Sequence, residues 1–142
     1  RRPGPEEKEA RMSRPLFTLE MDLRWRDMDA FNHVNNASYL GYVEEARVRW
    51  FASLSADWAA ETAAPVMAAV TMNYRRPITW PESVRVELFA ERVGGKSLTV
   101  GHRIVSATQD GVLYCDGHTV LVWLTRAGES VPLPDAVRAA CA

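Results

Sequence analysis

Eleven consecutive residues, Arg26 to Asn36, hold two carboxylates (Asp27, Asp29), one imidazole (His33) and three amides (Asn32, Asn35, Asn36). These are the side chains of water activation: a carboxylate orients or deprotonates a water, and an imidazole moves a proton. The stretch runs straight into the longest helical pattern of the chain, so it lies at that helix's positive end. Free backbone N–H groups there suit a carboxylate, a phosphate or a developing oxyanion. Asp29 and the N–H of Asn36 can therefore serve one reacting carbonyl from two sides. The same residue types are also ordinary turn and cap formers, and type alone leaves both readings open.

Positioning such groups takes a strand, a helix and a sheet. From Phe17 to Arg26 apolar and polar residues alternate, which predicts a half-buried strand. From Asn36 to Leu54 the period changes. Leu40, Val43, Ala46, Trp50, Phe51 and Leu54 fall within about 140° of arc, an amphipathic helix with Asn35 or Asn36 as its cap. Gly41 costs that helix about 1 kcal/mol relative to Ala, which is tolerated where another backbone approaches closely. Ser55 to Pro65 reads as a short Ala-rich connection with a helical turn. Strands then follow at 66–75, 84–91, 98–104 and 112–124, punctuated by Gly94-Gly95 and Asp110-Gly111. A bulge is expected at Cys115–His118, and a short helix over Asp135–Ala140 closes the chain. The pattern predicts an α+β fold: about five strands, the last four an antiparallel meander, wrapped around one long central helix.

The chain has 142 residues, enough for one domain with a core that needs no staples. Lys plus Arg (17) nearly cancels Asp plus Glu (18), for a net charge of −1, so no basic field attracts nucleic acid. No apolar run approaches the ~18 residues of a membrane span. Two cysteines, Cys115 and Cys141, make no disulfide framework, and a reducing cytosol is the default compartment. The eleven residues before Met12 carry seven charges and no large apolar side chain. Residues 1–15 therefore read as a solvated N-terminal extension, disordered or added ahead of a true initiator at Met12, and residues 16–142 as the domain.

The segment RWRDMDAFNHVNNASYLGYVEEAR resembles the signature of the 4-hydroxybenzoyl-CoA thioesterase-like branch of the hotdog fold. That signature is a strand, D-x-D, a small residue, G-H-V-N-N, then Y-L and E-x-x-R on the helix. MNYRRPITWPESVRVEL, GGKSLTVGHRI and VLVWLTRAGESVPLP are similar to the family's later strands, so the resemblance covers residues 16 to 140. It implies hydrolysis of acyl-CoA or acyl-carrier-protein thioesters with no metal and no redox cofactor. It assigns the catalytic carboxylate to Asp29, as general base or nucleophile, and the oxyanion donor to the backbone of Asn36. It implies a homodimer or a dimer of dimers, with pockets between subunits. Asn32 stands where the family has Gly; Asn enters the left-handed region more readily than most residues. Phe31 stands where the plant acyl-carrier-protein thioesterases place an Asn. His33 is therefore a catalytic candidate whose other reading is a loop-ordering imidazole.

For the substrate, Asn35, Tyr39, Arg75, Arg76, Lys96 and Ser97 are the binding candidates, the cations for CoA phosphates. Glu44 has Arg47 three residues on and Glu45 has Arg49 four on, spacings that predict structural ion pairs on the helix. Gly95-Lys96-Ser97 ends like a P-loop but lacks its strand-to-helix context. The three histidines and Cys115 show no metal-ligand spacing. Two competing readings remain: a hydratase on the same fold, whose His-rich, Pro-Gly-rich loop is missing here, and a non-catalytic acyl-CoA-binding module.

Overall fold

The computed structural model describes residues 4–6, 14–55, 58 and 62–142. Most of the N-terminal extension, and most of the helical turn expected between Ser55 and Pro65, lie outside the described residues. The elements are β1 (Phe17–Asp22), a one-turn 3-10 helix (Trp25–Asp27), α1 (Asn36–Leu54), β2 (Ala64–Tyr74), β3 (Ser83–Val93), β4 (Ser97–Ser106), β5 (Leu113–Leu124) and α2 (Asp135–Ala140). They form one five-stranded antiparallel sheet with α1 packed on β3 and β1. This is the α+β hotdog architecture that the pattern and the resemblance implied.

The sheet order corrects the expected meander. It is β1-β3-β4-β5-β2, so β2 leaves its chain neighbour β3 and pairs with β5 at the far edge. Only β3, β4 and β5 form a meander. β1 also ends earlier than its alternation predicts. After Leu23 donates its N–H to the Glu82 carbonyl at 2.9 Å, the chain leaves the ladder. Trp25 consequently points to solvent, 72 % exposed, instead of inward. The expected bulge in Cys115–His118 is displaced: those residues keep register, and the shift falls at Tyr114 against Ile104 and Val105.

The core lies between α1 and the inner face of the sheet. Val84, Val86 and Leu88 of β3, Leu98, Val100 and Ile104 of β4, and Leu121 and Trp123 of β5 alternate inward and are buried. Val43, Ala46, Trp50 and Phe51 of α1 meet them. Each of the larger side chains contributes roughly 1.5–3 kcal/mol by leaving water. The Phe51 ring is enclosed by three tryptophans, with centroids 4.9 Å from Trp50, 5.7 Å from Trp58 and 5.9 Å from Trp123. This cluster closes the C-terminal end of α1 and leaves the N-terminal end to the Asp29 loop. No described helix is long and apolar enough to cross a membrane.

Candidate active site

The loop before α1 is a tight hairpin built by its own side chains. Asp29 N–H donates to the His33 carbonyl at 2.7 Å, and Asn32 N–H to the Asp29 carbonyl at 3.2 Å. Asp29 Oδ1 accepts the Phe31 N–H at 2.8 Å and the His33 N–H at 3.1 Å. The turn needs one left-handed residue, and Asn32 supplies it at φ +58°. Both Asp29 hydrogen bonds fall on one oxygen. Oδ2 accepts none among the described residues, and the side chain is exposed.

The other carboxylate of the pair is an anchor. Asp27 is buried; its Oδ2 accepts the Tyr42 hydroxyl at 2.9 Å and its carbonyl accepts the Asn35 N–H at 2.9 Å. Burial, then the hydrogen bond to Asp27, pushes the Tyr42 phenol above its ordinary range. One strand end is thereby tied to the first turn and the middle of α1. Asn35 is the cap: its side-chain oxygen accepts the Ala37 N–H at 3.0 Å. The N–H of Asn36, the next residue, donates to nothing among the described residues.

Six sequence-predicted residues meet around one cavity of about 260 Å³: Asp29, His33, Asn36, Tyr39, Arg75 and Arg76. Asp29, with one carboxylate oxygen unengaged, and Asn36, with its N–H unengaged, thus line the same small space together with two arginines. Neither His33 ring nitrogen has a partner among the described residues; its backbone orders the Asp29 turn instead. Tyr39 is buried in the wall, and burial, then the neighbouring Cys115 thiol, pushes its phenol up to about 12. Cys115 is itself pushed up to about 11 by burial, so it holds its proton behind the wall. Arg75 pairs with Asp116 at 3.0 Å, while Arg76 makes no ion pair among the described residues.

Three binding candidates stand elsewhere. Asn35 is spent on the cap rather than lining the cavity. Ser97 opens β4 beside Val122, with Lys96 just before it, seven residues along β5 from the Cys115 row that borders the cavity. That is about 23 Å at strand rise, so one chain does not bring them to the cavity. Of the two expected helix pairs, Glu45–Arg49 forms at 3.2 Å. Glu44 and Arg47 are not in ion-pair range, because Arg47 turns inward and is buried. Sequence reasoning missed Tyr74. Its hydroxyl donates to the Asn36 carbonyl at 3.1 Å, and its ring stands edge-on to Tyr39 at 4.9 Å. The alternation Val70, Met72, Tyr74 was the available sign that it faces α1. Among the described residues no three His, Cys, Asp or Glu side chains are placed to hold a metal ion.

Known proteins share this arrangement of elements. The PA2801 protein from Pseudomonas aeruginosa superposes with a TM-score of 0.86 at 41% identity, over 91% of this chain and all of that one. A thioesterase from Thermus thermophilus, crystallised with coenzyme A and zinc, superposes at 0.77 with 36% identity, over 89% of this chain and 92% of that one. The long-chain acyl-CoA thioesterase FadM of Escherichia coli is 29% identical over 101 residues, 68% of this chain and 74% of that protein. The model of the thioesterase-like superfamily matches residues 23–141, and with it the cavity acquires a chemistry: the chain belongs to the thioesterase-like superfamily and is a thioester hydrolase of the hotdog fold.

Proposed function

We propose that the chain hydrolyses acyl-CoA to a carboxylic acid and free CoA, with Asp29 as the catalytic carboxylate and no metal or redox cofactor in any step. The observation that carries this is the juxtaposition of an unengaged Asp29 oxygen and an unengaged Asn36 N–H across one cavity. Asp29 takes a proton from a water as the water oxygen bonds to the thioester carbon. The carbonyl oxygen becomes an oxyanion and is held by the Asn36 N–H at the positive end of α1. The oxyanion collapses, the C–S bond breaks, and the Asp29 proton goes to the departing thiolate. Arg76, free of ion pairs among the described residues, and Arg75 suit the CoA phosphates. The long-chain and CoA relatives support CoA over a carrier protein as the acyl donor. Cys115 is a buried free thiol, which agrees with a reducing, cytosolic setting.

The active unit we infer is a homodimer formed along β2. This edge strand of eleven residues leaves Val66, Met67, Val70 and Tyr74 between 37% and 47% exposed. A long apolar edge is a template for another strand, and a second copy of β2 covers it. Val70→Lys is expected to turn the dimer into monomer in light scattering; an unchanged mass would remove β2 from the interface.

The deciding experiment is thiol release from short, long and aromatic acyl-CoAs by wild type and Asp29→Asn. The expected result is turnover that falls by about 10² or more in the variant. Turnover that survives Asp29→Asn would sink the assignment of Asp29. No turnover, with thermal stabilisation by CoA, would establish the binding-module reading instead.

A further inference from the structure

The N–H of Asn36 is the oxyanion donor of the proposed reaction, and how firmly it is held decides what it contributes. A donor fixed before the oxyanion forms needs no reorganisation at the moment of reaction, and removing one outright costs about 10²–10³ in rate. The first turn of a helix is where such fixing is hardest, because its N–H groups lack partners within the helix and its residues fray. In α1 the second turn adds to this softness, since it contains Gly41, a weaker helix former than alanine.

Three hydrogen bonds hold Asn36 from its two sides. The peptide unit that carries its N–H is fixed at the other end, where the Asn35 carbonyl accepts the Ser38 N–H at 2.8 Å. The following unit is held at both ends. The Ala37 N–H donates to Asn35 Oδ1 at 3.0 Å, and the Asn36 carbonyl accepts the Tyr74 hydroxyl at 3.1 Å. The first two bonds are made within the start of the helix. The third crosses 38 residues of sequence, to the last residue of β2. Of the four backbone polar groups in these two peptide units, the Asn36 N–H is the one left unengaged among the described residues.

Tyr74 is a firm place to hold from. Its ring stands edge-on to that of Tyr39, with centroids 4.9 Å apart and 84° between the planes, and Tyr39 is the buried aromatic of the same helical turn. The strand residue therefore touches the first turn of α1 at two points. Tyr74 is itself paired with Cys115 of β5. The next residue is locked: the Arg75 N–H donates to the Tyr114 carbonyl at 2.8 Å, and the Arg75 guanidinium pairs with Asp116 at 3.0 Å. The sheet thereby reaches the helix start through one phenol. Tyr74 also lines the cavity with Asp29 and Asn36. A hydroxyl has a single O–H to give, and this one is spent on the Asn36 carbonyl, so Tyr74 serves the reaction through Asn36 and donates nothing to the substrate.

We infer that Tyr74 is a positioning residue for thioester hydrolysis: its hydroxyl, acting with the Asn35 cap, holds the Asn36 N–H in place for the oxyanion before the substrate arrives. The inference rests on the thioesterase reading of the Asp29 cavity. Its test is Tyr74→Phe, which keeps the ring on Tyr39 and loses only the hydroxyl, assayed on the acyl-CoA that wild type turns over best. The expected result is a kcat lower by about tenfold with KM within about twofold of wild type. In 15N relaxation the order parameter of the Asn36 amide is expected to fall from a rigid value of about 0.85 in wild type. A role in packing alone moves neither quantity.

Turnover that is lost in Asp29→Asn and kept in Tyr74→Phe overturns the inference and leaves the thioesterase reading standing. So does a raised KM with kcat unchanged, which would make the hydroxyl a substrate contact, and so does an Asn36 amide as rigid in the variant as in wild type. If Tyr74→Phe does not fold, or leaves the wild-type oligomer, Asn35→Ala carries the test by freeing the other end of the same peptide unit. It is expected to lower kcat with KM kept, and Asn35→Ser, which supplies another capping oxygen, to restore most of the loss; an unchanged kcat in Asn35→Ala overturns the inference. No turnover by wild type on short, long and aromatic acyl-CoAs removes the thioesterase reading and this inference with it.

Discussion

Asp27 and Asp29 are two residues apart and do opposite work. Asp27 is buried and holds Tyr42; Asp29 is exposed and keeps one oxygen free. The difference comes from the turn, which points Asp29 at its own loop and so out of the core. Removing the Tyr42 hydroxyl leaves a buried carboxylate oxygen with one donor fewer. Tyr42→Phe is therefore expected to cost about 1–3 kcal/mol in urea unfolding. Asp29→Asn is expected to change stability little while removing activity. A Tyr42→Phe protein as stable as wild type would show that the buried bond is not what fixes the loop. Asn32 belongs to the same device. Its φ of +58° is the conformation in which glycine is at ease, and asparagine is the residue that best replaces glycine there.

At the scale of elements, α1 is the part that both positions the chemistry and carries a local weakness. Gly41 sits in its second turn, and a Cβ at that position would meet nothing within 4 Å. The close backbone approach that the sequence suggests is absent within one chain. Gly41→Ala is expected to raise stability by up to about 1 kcal/mol, read as the midpoint of thermal or urea unfolding. Destabilisation would mean that a second copy packs against this point. The helix, its cap and the Asp29 turn were legible in the sequence because all their interactions span a few residues. The destination of β2 was not. Its pairing with β5 joins Tyr74 to Cys115 across 41 residues, and no periodicity reports which of two antiparallel neighbours a strand chooses. The fate of Arg47 was hidden for a related reason. Spacing predicts a pair with Glu44, while the side chain answers to the sheet below it. Tyr74 escaped notice because its role depends on that same non-local edge.

For the molecule as a whole, pH acts through the buried imidazole. His102 has a lowered pKa of about 4 when folded and an ordinary one when unfolded. Between about pH 6.5 and 4 the unfolded chain therefore binds the extra proton. Stability from this group is complete above pH 6.5 and is lost as pH falls towards 4. The expected outcome is a falling melting temperature over that interval, with His102→Leu flattening the profile. A profile of unchanged slope in the variant would assign the acid sensitivity to other groups.

The enclosure of Phe51 by tryptophans divides the indole chromophores of the chain by position. Trp50 and Trp123 are buried and Trp58 is half-buried at one end of α1, whereas Trp25 and Trp80 are 72% and 43% exposed near the Asp29 loop. Intrinsic fluorescence is thus a two-channel signal. Acrylamide quenches the exposed pair and leaves the two buried indoles of the Phe51 cluster emitting at short wavelength. Ligand arriving at the loop registers in the first channel, and loss of the core in the second, without any introduced label.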